Sequence, residues 1–322
     1  MNATAQESSM DTPRHQKYQR LIDYCKNLPP LPTAVVHPCD RSSLTGAIEA
    51  AQMRLIAPIL VGPRERIEAA AREAGLSIAD YPLMDAPFSE AAAELAVQLV
   101  REGRAEGLMK GSLHTDELMR AVVKKDSGLR TGRRVSHCFV MDVPGHPDPL
   151  IITDAAVNIA PTLEDKIDIV QNAIDLAHAM TLPEVRVAVL SAMETVNPKV
   201  PSTLEAAALC KMMDRHQLSG AVIDGPLALD NAINPEAARI KGIESPVAGR
   251  ANVLVVPDLE AGNMLAKSLS FLAGADAAGI VLGARVPVIL TSRADSVVTR
   301  LASCAVATLV AKARRESGKT MG

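Results

Sequence analysis

Ser292, Arg293 and Asp295 stand within four residues, after the apolar run Val288–Leu290 and before a long amphipathic helical pattern. Arginine offers a forked, permanent cation that suits phosphate. An aspartate beside it can take a proton, and a serine can hydrogen-bond a developing anion. An aspartate at that place can equally cap the helix, and the residue types leave both readings open. Three further polar turns follow apolar runs. In Lys110-Gly111-Ser112-Leu113-His114-Thr115 the glycine permits close backbone approach and the hydroxyls flank a helix start, which suits a phosphate or an ordinary cap. Asp224-Gly225-Pro226 is turn chemistry at a strand end that can also line a site. Pro257-Asp258 leads through Gly262-Asn263 to Lys267, with Asp258 suited to a site or to an N-cap. Lys124, Lys125, Arg130, Arg133 and Arg134 put five cations within eleven residues, either a clamp for a polyphosphate or a solvated face.

Other chemistries lack their residues. There is no Walker loop, no G-x-G-x-x-G fingerprint, no G-x-S-x-G elbow and no H-E-x-x-H pair, so no metal set is expected. Five scattered cysteines without a C-x-x-C pair argue against a disulfide framework and for buried, reduced thiols.

The turns must be held by something, and the intervening sequence says what. Short apolar runs with β-branched residues predict strands at 33–37, 56–61, 107–110, 135–143, 185–190, 220–224, 252–256, 278–282 and 287–291. Ala-rich segments of helical period lie between most of them. Two carry start signals: a capping box at Ser202-Thr-Leu-Glu205, and Asn234-Pro235 with proline at the first helical position. Continuous apolar runs indicate strands covered on both faces. The fold class expected is α/β, with two α/β/α domains and mostly parallel sheets, because nine strands are many for one sheet. The polar stretch Lys124–Arg134 is the expected seam. In such sheets ligands collect at the carboxyl ends of strands, where the polar turns fall.

With 322 residues, 48% of them hydrophobic, the chain can bury a large core. Its 34 basic and 37 acidic residues leave a net charge of −3, which argues against a polyanion binder. No Trp, three Tyr and three Phe leave few stacking platforms, so nucleic acid is not an expected partner. No apolar run reaches the ~20 residues of a membrane span, and the N-terminal stretch lacks a signal-peptide layout. A cytoplasmic protein without a membrane partner is expected.

Five segments in register resemble the phosphate acetyl/butyryltransferase family: Met109-Lys-Gly-Ser-Leu-His-Thr115, Asp154-Ala-Ala-Val-Asn-Ile159, Asp224-Gly-Pro226, Pro257-Asp258 with Gly262-Asn263 and Lys267, and Ser292-Arg-Ala-Asp-Ser296. The resemblance covers about residues 30–315. It implies reversible transfer of a short acyl group, acetyl ahead of butyryl, between CoA and inorganic phosphate in a ternary complex. No cofactor beyond the substrate coenzyme A is implied. It further implies a discontinuous first domain, 14–134 plus 285–322, a second domain, 135–284, an active-site cleft between them, and a homodimer. Carried over by residue, Ser292 and Arg293 are implied to stabilise the thiolate and bind phosphate, and Asp295 to remove the CoA thiol proton. Ser112, His114, Thr115, Asp258, Asn263 and Lys267 are implied substrate contacts. Arg120 and Arg130 compete as a further phosphate ligand, with Asp116 four residues before Arg120 offering an exposed pair instead. The Ser-Arg-Ala-Asp-Ser form resembles the butyryltransferase branch. No hydratase domain is expected ahead of the matched region. Two other classes stand as alternatives: a metal- and NAD-dependent decarboxylating dehydrogenase of similar architecture, which needs clustered aspartates, and a non-catalytic acyl-CoA-binding protein, which needs no Ser-Arg-Asp set.

Overall fold

The computed structural model describes residues 16–291 and 295–318. In chain order the elements are α1 (Gln16–Cys25), β1 (Leu31–Val36), α2 (Arg41–Gln52), β2 (Ile56–Gly62), α3 (Arg64–Ala74), β3 (Leu83–Asp85), α4 (Ser89–Arg101), β4 (Gly107–Lys110), α5 (Thr115–Val122) and β5 (Ser136–Asp142). They continue with β6 (Leu150–Thr153), α6 (Leu163–Ala179), β7 (Arg186–Leu190), α7 (Pro201–Asp214), β8 (Val222–Leu227), α8 (Leu229–Ile233) and α9 (Pro235–Ile240). The chain then forms β9 (Val253–Val255), α10 (Leu259–Leu272), β10 (Asp276–Leu282), β11 (Val288–Ile289) and α11 (Val297–Ser317).

The strands hydrogen-bond into one eleven-stranded sheet in the order β3-β2-β1-β4-β11-β10-β5-β6-β9-β7-β8. The five strands from β3 to β11 run parallel, as do the four from β6 to β8. Antiparallel pairings of β10 with β11, β10 with β5 and β5 with β6 join the two runs. The sheet therefore carries more strands than the sequence suggested for one sheet, because these central pairings bridge two parallel blocks that point in opposite directions. Each of the nine expected strands is present, β4 with the expected ends and the others with shifted ones; β3 and β6 are additional.

Local chemistry explains most helix starts. Asp40 Oδ1 accepts the Ser43 N–H at 2.8 Å ahead of α2, and a Thr162–Asp165 capping box opens α6. Asn234 Oδ1 receives the N–H groups of Glu236 and Ala237, as its Asn-Pro signal predicted. The capping box expected at Ser202–Glu205 is not formed. α7 starts one residue earlier, at Pro201; Thr203 Oγ1 takes the Asn197 N–H at 2.9 Å, and Glu205 pairs with Lys166 instead.

α11 is buried from Thr299 to Ala311 and packs with α1, α2 and α6 over one face of the sheet. Its small side chains permit that close packing, and Cys304 is fully buried there, as expected. On α1 the Tyr18 hydroxyl accepts the Ala278 N–H at 2.7 Å and donates to the Val140 carbonyl, tying the helix across β10 and β5. Among the described residues no helix is long and apolar enough to cross a membrane.

Candidate active site

A cavity of about 840 Å³ opens where the carboxyl ends of β4 and β11 meet the first residues of β10 and the second half of α10. It gathers His114, Thr115, Lys267 and Asp295 from the sequence-derived set, together with Lys110, His137, Phe139, Asp276 and Thr299.

Lys110 ends β4, and the chain turns sharply into α5. A Cβ on Gly111 would fall 2.4 Å from the Val36 carbonyl oxygen, so glycine lets the turn pass against the end of β1. Ser112 is spent on that junction: its Oγ donates to the His37 carbonyl at 2.8 Å and accepts the Cys39 N–H at 3.2 Å. It stitches two turns together and does not line the cavity. His114 occupies the N-cap position of α5 without a side-chain cap bond. The first N–H groups of α5 are thus not claimed by a cap, and Thr115 stands with them in the cavity wall.

The start of α11 also contributes to the lining. The cap of α11 is Ser296, whose Oγ accepts the Thr299 N–H at 3.1 Å. Asp295, which is not the cap, lines the cavity beside Ser296. Ser292 and Arg293 lie outside the described residues.

Asp258 is the N-cap of α10, with Oδ1 accepting the Ala261 N–H at 2.8 Å. Asn263 Nδ2 donates to the Ala155 carbonyl at 3.3 Å. That bond fastens α10 to the Asp154–Ile159 segment, and Lys267 further along the helix reaches the cavity. Asp154 organises this segment from its buried centre, accepting the N–H groups of His137, Ala156, Val157 and Asn158. Asp258 and Asn263 therefore position α10, and neither is in the cavity wall.

Arg120 is not brought to the site. It is largely exposed and pairs with Asp116 at 3.5 Å, the helical pair its spacing allowed. Arg130 is exposed too and bridges to Ala284 by its backbone. Three others of the basic stretch are ion-paired: Lys124 with Glu94 at 2.9 Å, Arg133 with Asp175 at 2.5 Å, and Arg134 with Asp165 at 2.8 Å.

Sequence reasoning missed His137 and Phe139. Alternation along β5 was the available signal, since positions two apart share a face of a strand. The continuous apolar pattern masked it.

Burial pushes every cysteine thiol upward: Cys39 to about 11, and Cys25, Cys138, Cys210 and Cys304 to about 12. None of the five offers a thiolate at neutral pH. Among the described residues no three His, Cys, Asp or Glu side chains gather where they could hold a metal ion.

The family model described as Phosphate acetyl/butaryl transferase matches residues 85–308. A phosphate acetyltransferase of Rhizobium meliloti is 66% identical over 299 residues, spanning 93% of this chain and 95% of that protein. A phosphate butyryltransferase of Clostridium beijerinckii is 42% identical over 296 residues, spanning 92% and 98%. The crystal structure of a branched-chain phosphotransacylase from Enterococcus faecalis V583 matches with a TM-score of 0.76 at 31% identity, covering 87% of this chain and 98% of that one. Fold, cavity and relatives together define an α/β acyltransferase. The chain belongs to the phosphate acetyl/butyryl transferase family.

Proposed function

We propose that this enzyme transfers a short acyl group, acetyl in the first place, from acyl-CoA to inorganic phosphate, reversibly and directly within a ternary complex. The observation that carries this is the placing of Asp295: with Ser296 capping α11, the carboxylate stands in the wall of a cavity that also holds Lys110 and the start of α5. A phosphate oxygen forms a bond to the acyl carbon as the acyl–sulfur bond breaks. The proton that phosphate gives up ends on the CoA sulfur, and Asp295 carries it; in reverse, Asp295 takes it from the thiol. Lys110, Thr115 and the N–H groups of α5 supply positive potential for phosphate. Ser292 and Arg293 serve the developing thiolate and the phosphate. The raised thiols support transfer without an acyl-cysteine intermediate, and the reaction as written needs no cofactor beyond CoA.

We assign the division 14–134 plus 285–322 and 135–284 to the same scheme, supported by β11 lying between β4 and β10. A homodimer acting in the cytoplasm completes the proposal. The test is thiol release from acetyl-, propionyl- and butyryl-CoA, with and without phosphate or arsenate. Release only with the anion supports the proposal, with acetyl-CoA fastest. Anion-independent hydrolysis, or no release from any of the three, refutes it.

A further inference from the structure

His137 is 2% exposed, yet it belongs to the wall of the active-site cavity. Its backbone is held at both ends of the residue: the N–H donates to Asp154 Oδ2 at 3.1 Å, and the carbonyl accepts the Thr153 hydroxyl at 2.9 Å. Its ring meets Phe139 edge-on, with centroids 4.4 Å apart and planes at 77°. Both side chains thus point to the same face of β5, as residues two apart must. Among the described residues no hydrogen bond to the ring's polar atoms matches that anchorage. Nδ1 is sealed from solvent and has no hydrogen-bond partner among the described residues. Nε2 lies beside Gly279 on the neighbouring strand, where a Cβ would come within 3.1 Å of it. The glycine keeps the space beside that nitrogen open.

A buried imidazole needs a reason to go without a bond. The tautomer follows from the two environments. A sealed nitrogen without a partner costs less as an acceptor than as an N–H, so the proton belongs on Nε2. Burial also pushes the ring's pKa down to about 4, so at neutral pH it is a neutral donor and not a cation. A neutral donor suits a neutral, polarisable oxygen, while Lys110 and the α5 terminus in the same cavity suit the phosphate. Phe139 lies against the ring, and Ala277, Leu290 and Leu113 add apolar lining to the cavity. An acyl chain resting on those side chains carries its carbonyl next to His137.

We propose that the Nε2–H of His137 hydrogen-bonds the carbonyl oxygen of the acyl thioester and strengthens that bond as charge develops on the oxygen. The proposal rests on the acyl-transfer reading of the same cavity. It adds a substrate contact from β5 to the residues supplied by the turns after β4 and β11.

The test compares two inert CoA analogues as inhibitors: a ketone in which methylene replaces the thioester sulfur, and S-ethyl-CoA, which lacks the carbonyl. The wild-type enzyme is expected to bind the ketone about tenfold or more tightly than the thioether, the scale on which a site built for a polar group rejects an analogue lacking it. In His137→Phe, which keeps a ring against Phe139 and loses the donor, that ratio falls towards one. The same variant loses about 10²–10³-fold in kcat, the usual effect of removing one oxyanion donor, while KM for phosphate holds. His137→Gln, which keeps an N–H, recovers part of both. Should His137→Phe fail to fold, His137→Asn carries the same comparison, since its shorter side chain cannot reach the carbonyl. A wild-type enzyme indifferent to the carbonyl overturns the proposal without any variant. So does a folded His137→Phe or His137→Asn with wild-type kcat, or with lost kcat and an intact ratio. Failure of phosphate-dependent thiol release in the wild type strikes the acyl-transfer reading itself and is seen separately.

Discussion

Ser296 Oγ receives the N–H of Thr299 at 3.1 Å, and by capping α11 it leaves the preceding residue, Asp295, to the cavity wall. Two adjacent side chains that both suit a helix start have been given different work. Asp295→Asn should therefore lower kcat by about 10²–10⁴-fold, the range of a lost general base, with little change in melting temperature. Ser296→Ala should lower stability by about 1 kcal/mol, the usual cost of a lost cap. Paired melting curves and initial rates check this. An Asn variant that melts early and keeps its rate would reverse the two roles.

Arg120→Ala should leave KM for phosphate unchanged and shift stability by no more than about 0.5 kcal/mol, because the guanidinium is solvent-exposed and, among the described residues, paired with Asp116 alone. Steady-state kinetics with phosphate varied is the check. A severalfold rise in KM would return Arg120 to the site.

Gly111→Ala should destabilise the protein by roughly 1–3 kcal/mol, as overpacking does, since its Cβ would meet the backbone oxygens of Val36 and His37 at 2.4 and 2.6 Å. The atoms in the way are main chain and cannot rotate aside. Activity should fall with it, because the displaced turn carries Lys110, His114 and Thr115. Chemical denaturation alongside rate measurements tests both halves.

His137 predicts a pH dependence with a definite sign. Unfolded, its imidazole takes a proton below about pH 6.5; folded, burial delays this to about 4. Between those values the unfolded state binds more protons, so the stability contribution is present above pH 6.5 and is lost as pH falls towards 4. The loss is on the order of 3 kcal/mol. The stability of wild type relative to His137→Phe should fall as the pH drops across that range, and parallel curves would contradict the assignment.

Much of this was readable from the residues. The runs that became β1, β2, β4, β5 and β7 are apolar enough to announce themselves, and the polar turns after β4 and β11 fall at strand ends, where an α/β sheet collects ligands. β6 was not readable, because Leu150–Thr153 is a short run behind a proline-rich turn and is a strand only through β5 and β9 on either side. Within the site the limits were of another kind. Aspartate and serine both cap helices, so only the observed bond to Thr299 separates Asp295 from Ser296. Arginines five to nineteen positions beyond Thr115 can point anywhere, and acidic partners on α5 and α6 claim Arg120, Arg133 and Arg134. His137 lay hidden in a strand covered on both faces, where a period of two leaves no mark in the apolar pattern.

The most direct measurement is the product balance when acetyl-CoA is mixed with labelled phosphate. The expected result is one labelled acetyl phosphate for each CoA released, with no free acetate above background. Release of CoA with acetate in place of acetyl phosphate would contradict acyl transfer to phosphate.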